Sequence, residues 1–300
     1  MRVRDMALAV LVAVIWGFSY VTYKPGLESF SAAQLAALRF IFACLPILFV
    51  PRPRVSWTVM LVIGLVMFAG QFLLLMLAYA LDMPAGLGSV TQQTQAVFTV
   101  LLAAIFLREL PTLRQGIGMA VAFAGLALIG CTVGGDLKPA ALALALAAAT
   151  SWAIGNIVVR RTRDAPIFPL MVWCSLIALA PLIAYSYAFD PHPSLVYAVT
   201  HASWLSLGVA LYLGLPSTLL GYGLWGYLLQ RYPASVVTPF ALLVPATGIL
   251  TSALLLGEQF APLRLAGMAL ILVGLAVIVM PFASLRGARS ATKQSRSTSA

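Results

Sequence analysis

The chain has 300 residues, 62% of them apolar and only 9% charged, with a mean hydropathy of +1.01. A soluble protein carries about a quarter charged residues, so this chain cannot cover its surface with charge, and lipid must be its solvent. Its net charge of +10 lies in loops and tails between apolar runs; that placement sets orientation and contact with anionic lipid, and nucleic acid is not an expected partner.

A membrane span needs about 20 apolar residues, and ten such segments follow one another: Asp5–Tyr23, Ala32–Val50, Trp57–Leu81, Ala85–Leu107, Leu113–Thr132, Ala140–Val159, Ile167–Ala188, Ser203–Leu229, Ala234–Leu256 and Leu263–Phe282. The predicted fold is all-α and integral to the membrane. Breakers punctuate the loops at Lys24-Pro25-Gly26, Pro51-Arg52-Pro53-Arg54, Gly134-Gly135-Asp136 and Asp190-Pro191-His192-Pro193. Arg2 and Arg4 before an apolar run look like the start of a signal peptide. No small-x-small cleavage site follows, and the run continues through Trp16 and Tyr20, so it reads as a retained first span. Residues 285–300 lack apolar periodicity and read as a disordered cytoplasmic tail. Cys44, Cys131 and Cys174 lie in apolar segments without metal-ligand spacing, and neither metal nor cofactor is expected.

With the N-terminus in the cytoplasm, Arg2, Arg4, Arg52, Arg54, Arg108, Arg114, Arg160, Arg161, Arg163, Arg231, Arg286, Arg289, Lys293 and Arg296 all fall inside. Only Lys24, Lys138 and Arg264 fall outside. This bias puts both termini in the cytoplasm and makes the number of spans even.

The hydrophobic pattern occurs twice. Met83-Pro84-Ala85 opens a run that closes at Leu107-Arg108-Glu109; Tyr232-Pro233-Ala234 opens another that closes at Leu256-Gly257-Glu258. Pro233 follows Pro84 by 149 positions, and Glu258 follows Glu109 by the same 149. Gly118 and Gly125 recur as Gly267 and Gly274 at that offset. Five spans in each half are an odd number, so the second half (residues 136–284) enters the membrane upside down relative to the first (residues 1–135). Inverted repeats suit alternating access around a site between the halves.

Ala13-Val14-Ile15-Trp16-Gly17-Phe18-Ser19-Tyr20, Leu38-Arg39-Phe40, the two spans ending at Glu109 and Glu258, and Ser151-Trp152-Ala153-Ile154-Gly155-Asn156 together carry a resemblance. From Asp5 to Phe282 the chain resembles the drug/metabolite transporter superfamily, in particular its ten-span EamA-type members. The resemblance implies a 5+5 inverted topology, an inner-membrane location and export of amino acids or related metabolites. Exporters of cysteine and O-acetylserine, and YddG-like exporters of aromatic amino acids, are the nearest in kind.

Candidate site residues follow from polarity inside the spans. Gln92, Gln95 and Thr99 have i, i+3, i+7 spacing and would share one helix face. Lipid satisfies no amide, so this face lines a cavity or bonds to neighbouring helices. Gln71 joins it from the third span. Trp16, Ser19 and Tyr20 in the first span, and Trp152 and Asn156 in the sixth, lie too deep to be interfacial anchors. Tyr222 and Trp225 in the eighth could form an aromatic wall. Arg39, near mid-depth in the second span, attracts a substrate carboxylate or pins local carbonyls and a tyrosine hydroxyl. Glu109 and Glu258 at span ends cap the following helix or pair with Arg108, Arg114 or Arg264.

All eight acidic residues lie at span ends or in loops, so no buried carboxylate is expected to couple transport to protons, and a facilitator or weakly coupled carrier is predicted. No P-loop is present for ATP hydrolysis. The expected partners are a small-molecule substrate and lipid, and nothing in the sequence requires more than one copy. The alternatives are a carrier of drugs or lipid-linked sugars, or an integral-membrane lipid enzyme, for which Asp190 and His192 offer only a turn.

Overall fold

The structure, a computed structural model, describes residues 1–280 except 135, 160, 161, 163, 164 and 191–193. The predicted tail, Phe282, the cluster Arg160, Arg161 and Arg163, and most of the Asp190–Pro193 loop lie outside the described residues. Among the described residues every regular element is helical, apart from one bridge between Val133 and Leu137.

Nine described helices are long and apolar enough to cross a membrane: α1 (Val3–Leu27), α3 (Trp57–Ala80), α4 (Ala85–Leu107), α5 (Leu113–Gly130), α6 (Pro139–Val159), α7 (Ile167–Phe189), α8 (Trp204–Arg231), α9 (Ser235–Leu256) and α10 (Pro262–Val279). The segment expected to be the second span is shorter. Here α2 (Ala32–Leu48) is α-helical only to Cys44 and ends in a 3-10 turn containing Pro46. Proline lacks the N–H that would continue the α-helical ladder, and α2 reaches about 27 Å. Ser31 starts it with a capping box closed by Gln34.

Other boundaries also differ from expectation. Pro25 does not stop α1, which runs on to Leu27; the Pro25 carbonyl in its last turn accepts from Ser206 Oγ at 2.8 Å. An unpredicted short helix, Leu195–His201, precedes α8 and is capped by Ser194.

Irregularities recur at matching places. Ile63–Gly70 within α3 and Leu213–Leu220 within α8 are π-helical, 150 positions apart. Helix α4 is interrupted at Gln93-Thr94, and α9 is 3-10 over Thr238–Leu242. Such departures from the α-helical ladder often mark functional segments.

Helices α5 and α10 cross backbone to backbone. A Cβ on Gly125 would stand 2.5 Å from the Gly267 carbonyl oxygen, and one on Gly267 would stand 2.7 Å from the Gly125 oxygen. Gly118 and Gly274 repeat this at 2.7 and 2.5 Å. Gly118 meets Gly274 while Gly125 meets Gly267, so the two helices run antiparallel. Small residues permit this approach where lipid gives no hydrophobic drive.

Candidate functional site

A cavity of about 120 Å³ lies between α1, α2, α3, α4, α6, α8 and α9. Trp16, Ser19, Tyr20, Arg39, Gln71, Gln92, Gln95, Trp152 and Tyr222, all singled out from the sequence, line it. Thr99, Asn156 and Trp225 do not.

The cause for Thr99 is local. The i, i+3, i+7 face assumes an unbroken helix, but Thr91 Oγ1 donates to Leu87 O at 2.9 Å and Thr94 Oγ1 to Thr91 O at 2.7 Å. Such side-chain bonds compete with the helix ladder. The backbone tightens to i→i−3 bonds, Gln93 N to Val90 O and Thr94 N to Thr91 O, both 3.0 Å. Gln92, Gln93 and Gln95 turn into the cavity, whereas Thr99 Oγ1 donates to Gln95 O and accepts from Asn156 Nδ2 at 3.2 Å. Thr99 and Asn156 therefore join α4 to α6. Trp225 packs against Trp16, ring centroids 5.3 Å apart.

The amides are unevenly satisfied. Gln93 Nε2 donates to Ala241 O at 3.2 Å. The Oε1 atoms of Gln71, Gln92 and Gln95 are buried with no hydrogen-bond partner among the described residues. Buried polar atoms are ordinarily paired, and these three belong to one cavity.

Arg39 is 2% exposed. Its Nε donates to Thr218 Oγ1 at 2.9 Å, one Nη to Tyr23 OH at 3.3 Å and the other to Ser217 Oγ at 3.2 Å. The guanidinium carbon lies 3.9 Å from the centroid of Phe72. Gly214 makes this possible: a Cβ there would stand 2.8 Å from the Arg39 carbonyl oxygen, so α8 approaches α2 closely and presents Ser217 and Thr218. Ser19 Oγ lies 2.9 Å from Ser217 Oγ, and Trp16 Nε1 donates to Ser217 O at 2.9 Å.

Aromatic rings form the apolar wall. Tyr222 stacks on Trp152 at 6.0 Å and meets Trp16 at 5.2 Å; Trp152 stands edge-on to Phe72. The described lining contains no carboxylate, histidine or cysteine.

Tyr23, Phe72, Leu75, Gln93, Ser217, Ala241 and Val244 also line the cavity but were not chosen as site residues from the sequence. Tyr23 had a signal, since it continues the Trp16, Ser19 and Tyr20 face one turn further. Phe72 and Val244 had none to distinguish them from core residues.

The acidic residues correct two expectations. Glu258 does not cap the helix that follows it: it accepts from Ala85 N at 2.6 Å and Gly86 N at 3.0 Å, capping α4, and its charge also acts on Arg264. A carboxylate there also answers the helix dipole. No buried carboxylate was expected, but Asp5 is buried because the turn after α8 covers it; Tyr232 OH donates to it at 2.6 Å and Arg231 Nε lies 3.7 Å away. Outside the spans, Asp136 bonds to Arg264 and Asp82 to Lys138, and each hydrogen bond holds the carboxyl below its usual range.

The profile of the EamA-like transporter family matches residues 4–131 and again residues 139–280. A protein of Salmonella typhimurium named "Probable amino-acid metabolite efflux pump" is 38% identical over 293 residues, covering 95% of this chain and 98% of its own length. One of Escherichia coli with the same name is 37% identical, covering 92% and 95%. A solved crystal structure superposes with a TM-score of 0.63 over 92% of this chain and 96% of that one; at 16% identity the likeness is one of fold. The two profile matches and the full-length relatives agree with a bundle of apolar helices around a cavity lined by amides, an arginine and aromatic rings: the chain belongs to the EamA-like transporter family, as a multi-pass membrane transporter rather than an enzyme.

Proposed function

We propose that the protein is an inner-membrane carrier that exports small amino acids or related metabolites by alternating access. The observation that carries this is the cavity, where three unpartnered amide oxygens and a buried guanidinium face a common space between helices of both halves. The names of the relatives support amino-acid metabolites as cargo and export as the direction.

The carrier is read as ten spans, α1–α10, in two inverted repeats, residues 1–135 and 136–284, with both termini cytoplasmic. The reciprocal glycine contacts of α5 and α10, the paired π-helical segments and the double profile match support that reading. In it α2 crosses a locally thinned bilayer, an adjustment of modest cost. The described lining offers no carboxylate to carry a proton, which favours a facilitator or weakly coupled carrier. The buried guanidinium and the amide oxygens in the lining favour this reading over one for drugs or lipid-linked sugars.

Gln92→Ala and Gln95→Ala test the site in proteoliposome counterflow with the twenty amino acids. Both variants are expected to remain monodisperse and to lose most of the counterflow shown by the wild type. Wild-type rates in both would remove the amides from the transport site.

A further inference from the structure

We propose that Arg39 is the carboxylate anchor of this cavity, so that the molecule carried has a free carboxylate beside a protonated amine and no charge on its side chain. The inference rests on reading the cavity as the transport site.

A guanidinium cannot discharge itself by losing a proton, so its burial calls for an anion. Among the described residues Arg39 makes no ion pair, and its three hydrogen-bond partners, Thr218, Tyr23 and Ser217, are neutral hydroxyls. Four of the described acids are engaged elsewhere: Asp5 with Tyr232, Asp82 with Lys138, Asp136 with Arg264, Glu258 with the start of α4. The charge is thus positioned and solvated but not neutralised.

Its free valence has a direction. Of five N–H donors, Nε and one on each Nη are used, leaving one on each Nη. Phe72 covers a face of the guanidinium plane, so an anion enters at the edge, where the spare N–H groups can donate to a carboxylate.

The opposite pole is supplied by the amides. Gln71, Gln92 and Gln95 each bring a buried oxygen without a donor, and an ammonium group has three N–H donors. The rings of Trp16, Trp152 and Tyr222 line the same cavity. A second carboxylate would find no second cation in the described lining, and a cationic side chain would find no acid there.

The experiment is binding to the purified full-length protein, read by quenching of tryptophan fluorescence, followed by counterflow. The probes are the twenty amino acids and the primary amide of each, which keeps the ammonium and removes the anion. The wild type is expected to bind uncharged-side-chain amino acids more than about tenfold tighter than their amides, the loss expected when a charge-assisted contact disappears. Arg39→Gln should reduce binding of the acid and make acid and amide equal, while Arg39→Lys restores part of the preference. Equal binding of acid and amide by the wild type, with counterflow intact, overturns the anchor and leaves the transport site standing. Absence of binding and counterflow for every probe overturns both. A preference for the acid that survives in Arg39→Gln also overturns the anchor. Should Arg39→Gln not fold, the wild-type comparison of acid with amide decides alone.

Discussion

Asp136 reaches out of the loop before α6 and takes two hydrogen bonds from Arg264, at 2.7 and 2.6 Å. Arg264 is buried and also lies 3.3 Å from Thr132 Oγ1. The bond from Arg264 holds the Asp136 carboxyl below its usual value. A depressed carboxyl contributes stability that is fully present above the unfolded value, about 3.9, and is lost as the pH falls through the folded one. Thermal unfolding in detergent, followed from pH 7 to pH 3, should therefore show this contribution unchanged down to about pH 4 and fading below. Asp136→Asn should lower the midpoint at pH 7 and flatten the acid limb. The Arg264–Asp136 pair was not legible in sequence, because its partners lie 128 positions apart and Arg264 had two other acids in prospect. Trp16, Tyr20 and Gln92 were more readily seen, since a polar or amphipathic group deep in an apolar span stands out wherever its partners lie.

Elements were legible in extent and not in detail. Run length alone located the long helices, because a bilayer tolerates little variation in thickness. The interruption of α4 and the short α-helical part of α2 depended on Thr91, Thr94 and Pro46, whose effect on a helix is decided by where their hydroxyls or missing N–H fall. The helix ends offer a sharper test. Helix α4 ends with Arg108 at φ 55° and α9 ends with Gly257 at φ 65°, both left-handed and 149 positions apart. A residue with a Cβ pays about 1 kcal/mol or more for that conformation, and glycine does not. Arg108→Gly should raise the unfolding free energy by up to about 1 kcal/mol and Gly257→Ala lower it by a similar amount, measured by denaturant unfolding in detergent. Opposite signs would mean that contacts of the Arg108 side chain outweigh its backbone.

At the scale of the molecule, a described lining without carboxylates has a consequence for energetics. Steady efflux from proteoliposomes under a fixed substrate gradient should persist when the proton gradient is collapsed; abolition would place a coupling carboxylate elsewhere, with buried Asp5 the first to test. The doubled pattern was legible because the 149-position offset survives in glycines and helix ends, whereas the cavity wall is contributed unequally by the two halves and no offset announces it. The seam of α5 and α10 carries one more implication. Each glycine rests on the backbone of its opposite number, so the surface is its own mate. Two separately expressed fragments, cut in the turn between α5 and α6, possess in that seam a ready means of finding each other, with neither needing a surface the other lacks.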